Sequence, residues 1–188
     1  QFVLPDRMDA VLGATEGDIE WLDEAQIAAR LRKLREDQSA WRQQGDTGQF
    51  SLAGAQPKTA LLLKDKRWGV PSGRIPTTHI LKPPTAQFDG HAENEHFCLS
   101  LARKLGLPAA SSSVIRFGEE VAVVVERYDR QHTTQGIRRV HQEDMCQAMG
   151  VPPTQKYENE GGPGVARIVN LLRDNSGSSA EDVGTFIE

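Results

Sequence analysis

The sequence predicts an α+β fold in which a small mixed sheet with one packed helix precedes a helical segment. Three observations support this class. Apolar residues follow Asp23 at helical spacing, short apolar runs bounded by turn residues fill positions 59–125, and further helix signals begin near residue 142. Of the 188 residues, 38% are hydrophobic and 26% are charged, which is the composition of a folded domain rather than a disordered chain.

The first predicted helix begins after Asp23. Aspartate is a favoured N-cap, and Gln26 occupies the position of its capping-box partner. The apolar residues of this helix recur at helical spacing and are Ile27, Leu31, Leu34 and Trp41. Charged residues follow on what we interpret as the opposite, solvated face, namely Arg30, Lys33, Glu36 and Asp37.

Five short runs are predicted to form strands. They are Thr59 to Leu63, Arg67 to Val70, Thr77 to Lys82, Val114 to Phe117 and Val121 to Val125. The first is continuously apolar, as expected of a strand covered on both faces. It pairs with the second through a turn at Lys64-Asp65-Lys66, and the last two pair around Gly118-Glu119.

A helix from Ala92 to Leu105 is predicted between the third and fourth strands. Phe97, Leu101 and Leu105 share one apolar face, and Cys98 lies beside it, so we expect that side to be buried. Gly106 is a natural residue to end the helix.

The remaining chain is predicted to be helical after a polar linker at Gln131 to Gly136. A short helix from Gln142 to Met149 is closed by Gly150, and a second begins at Pro163. Its apolar stripe comprises Val165, Ile168, Val169 and Leu172, and a loose polar turn follows at Asn175 to Ser179. The order of elements is that of a kinase-like N-lobe running into a C-lobe, although other α+β folds share it.

Composition excludes several classes of protein. The chain has 22 basic and 26 acidic residues, a balance that argues against a protein whose whole surface binds nucleic acid. The sequence contains no run of about 18 apolar residues, so it predicts no membrane span. The two cysteines, Cys98 and Cys146, are too few for a disulfide framework and fit a reducing cytosol, so we expect a cytoplasmic protein. The five histidines have no metal-ligand spacing.

The segment from Ser51 to Lys58 could bind an anion. Its small residues Ala53, Gly54 and Ala55 allow close backbone approach, successive N–H groups can form an anion-binding nest, and Lys58 adds a positive charge. The alternative is a tight turn between a helix and a strand. Gly161-Gly162-Pro163-Gly164 presents a similar choice between a phosphate site at a helix N-terminus and a rigid turn.

Two further patterns could complete a nucleotide site. Lys82 ends a predicted strand, and Glu93 and Glu95 open the helix that follows, an arrangement by which protein kinases hold ATP phosphates. The alternative is an edge-strand lysine that prevents aggregation. The run from Val123 to Arg130 could be a hinge that meets an adenine edge, or an ordinary strand end with solvated charges.

Together these patterns resemble the HipA-type serine/threonine kinases, toxins of bacterial toxin–antitoxin pairs. The resemblance covers about residues 50–173. The blocks that carry it, in the family's order, are Ser51-Leu-Ala-Gly-Ala-Gln-Pro-Lys58, Thr78-His-Ile-Leu-Lys82, Asn94-Glu95, Val125-Glu-Arg-Tyr-Asp-Arg130, Gln142-Glu-Asp-Met-Cys-Gln147 and Lys156-Tyr-Glu158 with Gly161-Gly-Pro-Gly164.

The resemblance implies a role for each matching residue. The residues of the phosphate-binding loop would be Ala53, Gly54, Ala55, Gln56, Pro57 and Lys58. Lys82 would contact the ATP phosphates, with Glu95 as its ion-pair partner. Glu126, Arg127 and Tyr128 would form the hinge that meets adenine, and Ser51 would be the regulatory serine, whose autophosphorylation ejects the loop from the ATP site.

The resemblance places the family's catalytic Asp, its Asn and its Mg²⁺-binding Asp after the last predicted helix, and so outside this chain. We therefore expect an internal piece of a longer kinase that cannot transfer phosphate alone. Residues 1–50 would be a helical lead-in, 51–130 the ATP-binding lobe, and 131–188 the linker and the beginning of the C-lobe.

The resemblance also implies partners for the parent kinase. One is a HipB-like DNA-binding antitoxin, and the kinase would contact DNA only indirectly, through this antitoxin. The other is a protein substrate of the translation machinery, such as an aminoacyl-tRNA synthetase. Two alternatives stay open: a kinase-like protein-binding module without catalysis, and a small α+β domain that binds no nucleotide.

Overall fold

The structure, a computed structural model, describes residues 17–37, 54, 56–84, 90–134 and 136–187. The chain divides into two compact units. The first comprises the described residues up to Leu101 together with Ala109–Val140, and the second comprises Ala102–Pro108 and the described residues from His141 onward.

The first unit is built on a six-stranded sheet with the order β1-β3-β2-β4-β6-β5. Its strands are β1 (Ile19–Leu22), β2 (Thr59–Lys64), β3 (Arg67–Pro71), β4 (His79–Lys82), β5 (Ser112–Phe117) and β6 (Glu120–Glu126). All neighbouring strands are antiparallel, so the expectation of a mixed sheet is wrong. The two-residue turns of the β2–β3 and β5–β6 hairpins permit only antiparallel pairing. Strand β1 was not predicted.

Both predicted hairpins are confirmed. In the β2–β3 turn, Asp65 and Lys66 adopt positive φ angles of 51° and 62°, the conformation that matches the twist of the flanking strands. Gly118 serves the β5–β6 turn with a φ of 57°. These turns depend only on local sequence, which is why the pattern of the chain was sufficient to predict them.

Helix α1 (Glu24–Glu36) covers one face of the sheet. Its predicted capping box is confirmed, since Asp23 and Gln26 exchange side-chain to backbone hydrogen bonds. Its buried residues pack with Leu61, Leu81 and Val124. Arg30, expected on the solvated face, is instead 7% exposed. It lies three residues after Ile27, so it shares the buried side of the helix. Trp41 lies outside the described residues.

Helix α2 (His91–Lys104) presents the side opposite to the predicted one. The side that packs with the Val123 and Val125 cluster contains Ala92 and Leu99. The predicted stripe points away, because Phe97 is 63% exposed and Leu105 is 70% exposed, and Cys98 is exposed as well. The sheet-facing side escaped prediction because it also carries the polar residues Glu95 and His96. 

The end of α2 follows the prediction. Gly106 has a φ of 87°, its N–H donates to Arg103 O, and the N–H of Leu107 donates to Ala102 O. This pair of bonds is the Schellman arrangement that a glycine after a helix favours.

The predicted polar linker after β6 is wrong. Residues Arg130–Thr133 form β7 and Gly136–Arg139 form β8, which pair as a two-stranded antiparallel sheet. The hairpin belongs to the first compact unit, which extends to Val140. Hydrogen bonds from Val140 N–H to Asp129 O and from Arg139 to Ile75 O attach its end to that unit.

The second unit contains the helices α3 (Met145–Met149), α4 (Val165–Asn175) and α5 (Ser179–Ile187), with 3₁₀ turns at Pro153–Gln155 and Glu158–Glu160. Helix α3 begins after the N-cap Asp144 rather than at Gln142, and Gly150 closes it as predicted. Helix α4 begins at Val165 and not at Pro163, because Gly164 is its N-cap. Helix α5 was not predicted. Among the described residues, no helix has the length and apolar character needed to span a membrane.

Candidate functional site

Strand register brings Lys58 and Lys82 to neighbouring positions. Thr59 on β2 is paired with Leu81 on β4, Lys58 directly precedes Thr59, and Lys82 directly follows Leu81. The loop before β2 therefore enters the sheet next to the end of β4.

Lys82 forms an ion pair with Glu95. Lys82 Nζ lies 2.5 Å from Glu95 Oε1, and both side chains keep about a fifth of their surface exposed, 21% and 22%. Glu95 reaches the lysine because it lies on the sheet-facing side of α2, one turn after the buried Ala92. The pair is charge-assisted and accessible, so the ammonium group is oriented while part of it still faces solvent.

Lys58 is buried against its own loop. Its Nζ donates to the carbonyl oxygen of Gly54 at 2.8 Å, and only 7% of the residue is exposed. Gly54 has a φ of 98°, and a Cβ added there would lie 2.9 Å from Lys58 Nζ, so a side chain at this position would be strained and crowded. Ser51, Ala53 and Ala55 of the predicted loop lie outside the described residues.

A second side-chain contact joins this loop to α2. Gln56 Nε2 lies 3.2 Å from His91 Nδ1, and both side chains are partly buried. The sequence analysis did not single out His91. Its four-residue spacing from Glu95 could have identified His91 as a neighbour of the ion pair, since residues four apart in a helix share one face.

The predicted hinge connects β6 with the β7–β8 hairpin. The N–H groups of Glu126 and Arg127 already donate to Ser111 O and Thr78 O, each at 2.9 Å. Tyr128 is 79% exposed, whereas the side chain of Arg127 points into the protein. An adenine edge at this segment would therefore meet carbonyl groups or Tyr128 rather than those two amides. The adenine role stays a prediction.

A buried charge cluster fixes the same segment. Asp129 accepts from Arg127 Nε and Nη2 at 3.0 and 2.8 Å and from Arg130 Nη1 at 2.6 Å. Arg130 Nε also donates to Thr77 O at 2.6 Å, which ties the cluster to the segment just before β4. Burial by itself would raise the pKa of Asp129, but the hydrogen bonds and charges of Arg127 and Arg130 outweigh it and lower that pKa below its ordinary value. The sequence analysis missed this cluster.

The glycine run in the second unit behaves as a rigid turn. Gly162 N–H donates to Tyr157 O at 2.9 Å, and a Cβ built at Gly164 would collide with the carboxylate of Glu158. That carboxylate lies beside the N-cap of α4 and would repel an anion there, so the geometry supports the rigid turn. Within the described ranges, no group of three or more His, Cys, Asp or Glu side chains could hold a metal ion.

Comparison with known proteins places these residues in a family. Residues 50–188 match the HipA-like C-terminal domain. The chain is 47% identical over 135 residues to a Sinorhizobium fredii protein named "Putative kinase Y4mE", covering 71% of this chain and 32% of that protein. It is 35% identical over 127 residues to the serine/threonine-protein kinase toxin HipA of Shewanella oneidensis, covering 66% of this chain and 28% of that toxin.

A solved structure shows the same fold. The structure of Shewanella oneidensis HipA with HipB and operator DNA matches with a TM-score of 0.65 and 27% identity, over 83% of this chain and 39% of that one. The match confirms the predicted α+β, protein-kinase-like fold. The chain spans about a third of the length of the curated relatives it matches.

Proposed function

Because the chain belongs to the HipA-like C-terminal domain family, we propose that it carries the ATP-binding part of a serine/threonine kinase toxin. The observation that carries the proposal is the partly exposed ion pair between Lys82 and Glu95, next to the loop that carries Lys58. Lysine ammonium groups are the side chains with which protein kinases hold the phosphates of ATP.

The geometry suggests how each group acts. Glu95 orients the Lys82 ammonium, so little side-chain freedom would be lost when a phosphate oxygen binds it. Lys58 would exchange its bond to Gly54 O for one to the same phosphates. Phosphoryl transfer depends mostly on positioning and charge neutralisation, which are the contributions that these residues can make.

Self-inactivation through Ser51 is part of the proposal. A phosphoserine adds roughly −1.5 to −2 charges at neutral pH. Placed beside the loop that carries Gly54 and Lys58, such a charge would repel the ATP phosphates and compete for the same cations. The support is the family resemblance of this loop, since Ser51 lies outside the described residues.

The parent protein would transfer the γ-phosphate of ATP to a serine or threonine hydroxyl of a protein such as an aminoacyl-tRNA synthetase. From the family resemblance we place the Mg²⁺ ligands, with the catalytic Asp, outside this chain, and we assign no step to Mg²⁺ here. We also propose a HipB-like antitoxin as partner, since the matched HipA structure holds HipB and operator DNA.

Isothermal titration of ATP into the chain tests the site. Lys82→Ala should weaken ATP binding by at least tenfold, the effect of one charge-assisted contact. Lys64→Ala, which removes an exposed lysine at the far end of β2, should leave the affinity unchanged. Equal affinities of the wild-type chain and Lys82→Ala would contradict the assignment of Lys82. No heat from the wild-type chain would instead favour the small α+β domain that binds no nucleotide.

A further inference from the structure

We infer that Gln56 and His91 are positioning residues that couple the loop before β2 to the Lys82–Glu95 ion pair. The inference concerns the mechanical link between these groups, and its consequence for ATP rests on the proposed function. Four side chains form the link, in two bridges from α2 to neighbouring strands.

The first bridge is the contact between Gln56 Nε2 and His91 Nδ1 at 3.2 Å. With the carboxamide nitrogen as donor, His91 accepts through Nδ1. A residue that offers an acceptor at the Nδ1 position should preserve the bridge, and one that does not should break it.

The helix transmits the contact. His91 and Glu95 are four residues apart, so they lie on one face of the first turns of α2. Backbone hydrogen bonds make these turns a single rigid piece, and the bond from Asn94 N–H to Gly90 O at 2.8 Å extends it by one residue. A displacement of His91 therefore moves Glu95.

The second bridge, from Glu95 to Lys82, returns to the sheet at the end of β4. Strand β4 is paired with β2, and the loop that carries Gln56 and Lys58 leads directly into β2. The loop, the helix and the two strands thus form a closed circuit. Breaking either bridge should loosen the other, although the two share no atom.

The chain offers a matched control on the same helix. His96 is also partly buried, and its Nδ1 lies 3.0 Å from Ser112 Oγ on β5. Removing its imidazole costs α2 one side-chain contact of the same kind. That contact lies outside the proposed circuit, so it reports the general effect of weakening α2.

Hydrogen exchange of the ligand-free chain tests the coupling. In His91→Ala we expect exchange to rise about five- to tenfold in both the 56–63 and the 91–99 peptides, the effect of one lost hydrogen bond on local opening. Glu95→Gln should raise exchange in the 56–63 peptide, which it does not touch. His91→Asn should restore wild-type exchange, since Asn Oδ1 can accept from Gln56. His96→Ala should leave the 56–63 peptide unchanged.

Two results would overturn the coupling. One is hydrogen exchange in the 56–63 peptide that is the same as in the wild type in both His91→Ala and Glu95→Gln. The other is a rise in exchange of the 56–63 peptide in His96→Ala equal to that in His91→Ala, which would show that any loosening of α2 has the same effect.

ATP titration separates this inference from the proposed function. His91→Ala should weaken ATP binding about fivefold, and His91→Asn and His96→Ala should match the wild type. If ATP binding depends on Lys82 but is equal in wild type and His91→Ala, the positioning role fails while the site stands. If the chain binds no ATP but the exchange pattern is as expected, the coupling stands and the proposed function fails.

Discussion

Two ion-pair sites of the first unit differ in how much solvent reaches them. Lys82 and Glu95 keep about a fifth of their side-chain surface exposed, and one lysine meets one carboxylate. Arg127, Asp129 and Arg130 keep only 5–6% exposed and are joined by several hydrogen bonds. The first pair sits where β4 ends beside α2, and the second attaches the segment after β6 to the segment just before β4.

The difference separates a site that can exchange partners from one that cannot. A buried charge must be satisfied by the protein itself, because removing its partner leaves an uncompensated charge away from water. A partly exposed pair contributes less to stability, because solvent already screens it. The Arg127–Asp129–Arg130 cluster is therefore a structural clamp, whereas the Lys82–Glu95 pair is available to a ligand.

The largest effect is expected from Asp129→Asn. The substitution leaves two buried guanidinium groups without their counter-charge, so the free energy of unfolding should fall by about 3 kcal/mol or more. Urea unfolding followed by tryptophan fluorescence measures it, since Trp21 and Trp68 lie in this unit. Glu143→Gln, which alters an exposed contact with His141, is the control and should change little. An equally small change in both variants would show that the cluster is no clamp.

The same cluster should respond to acid. Because the pKa of Asp129 is lowered in the folded protein, its contribution is complete above the unfolded value of about 3.9 and is lost as the pH falls through the folded pKa. The difference in stability between wild type and Asp129→Asn should thus be constant above about pH 5 and shrink below about pH 4. Urea midpoints of both proteins across that range measure it. A difference that stays constant to the lowest pH would argue against this linkage.

Lys82→Met should have a smaller effect on stability than Asp129→Asn. Since both partners are partly exposed, we expect a loss of at most about 1 kcal/mol in the same urea experiment. A loss as large as that of Asp129→Asn would mean that this pair is also a structural clamp, and the contrast between the two sites would disappear.

The smallest effect is expected at Thr59, a neutral polar group of the same sheet. It is 1% exposed, and its Oγ1 has no hydrogen-bond partner among the described residues. Thr59→Val keeps the shape and removes the unsatisfied hydroxyl, so stability should be unchanged or rise by up to about 1 kcal/mol. A loss above 1 kcal/mol in urea unfolding would mean that the hydroxyl is satisfied in solution.

Local signals predicted the elements well. The capping box at Asp23, the turn at Asp65-Lys66 and the helix end at Gly106 each depend on residues within a few positions of one another. Ser51 and most of the loop around it cannot be compared, since they lie outside the described residues.

Which side of a helix faces the sheet was harder to predict than where the helix lies in the sequence. The apolar stripe of α2 indicated the wrong side of the helix, because the sheet-facing side mixes Ala92 and Leu99 with the polar Glu95 and His96. Each of those polar residues is partly buried next to a partner on a distant strand. No pattern within the helix contains that information.

The sequence by itself determined strands β2 to β6, helices α1 to α4, the capping box of α1, the two hairpin turns and the family, because these depend on neighbouring residues and on motifs in order. Only the tertiary structure decided which face of each helix is buried and which charges meet. It brings Glu95 to Lys82, and it turns Arg127 inward toward Asp129. Such contacts join residues far apart in the chain or on different sides of one segment, so their energies depend on the assembled sheet.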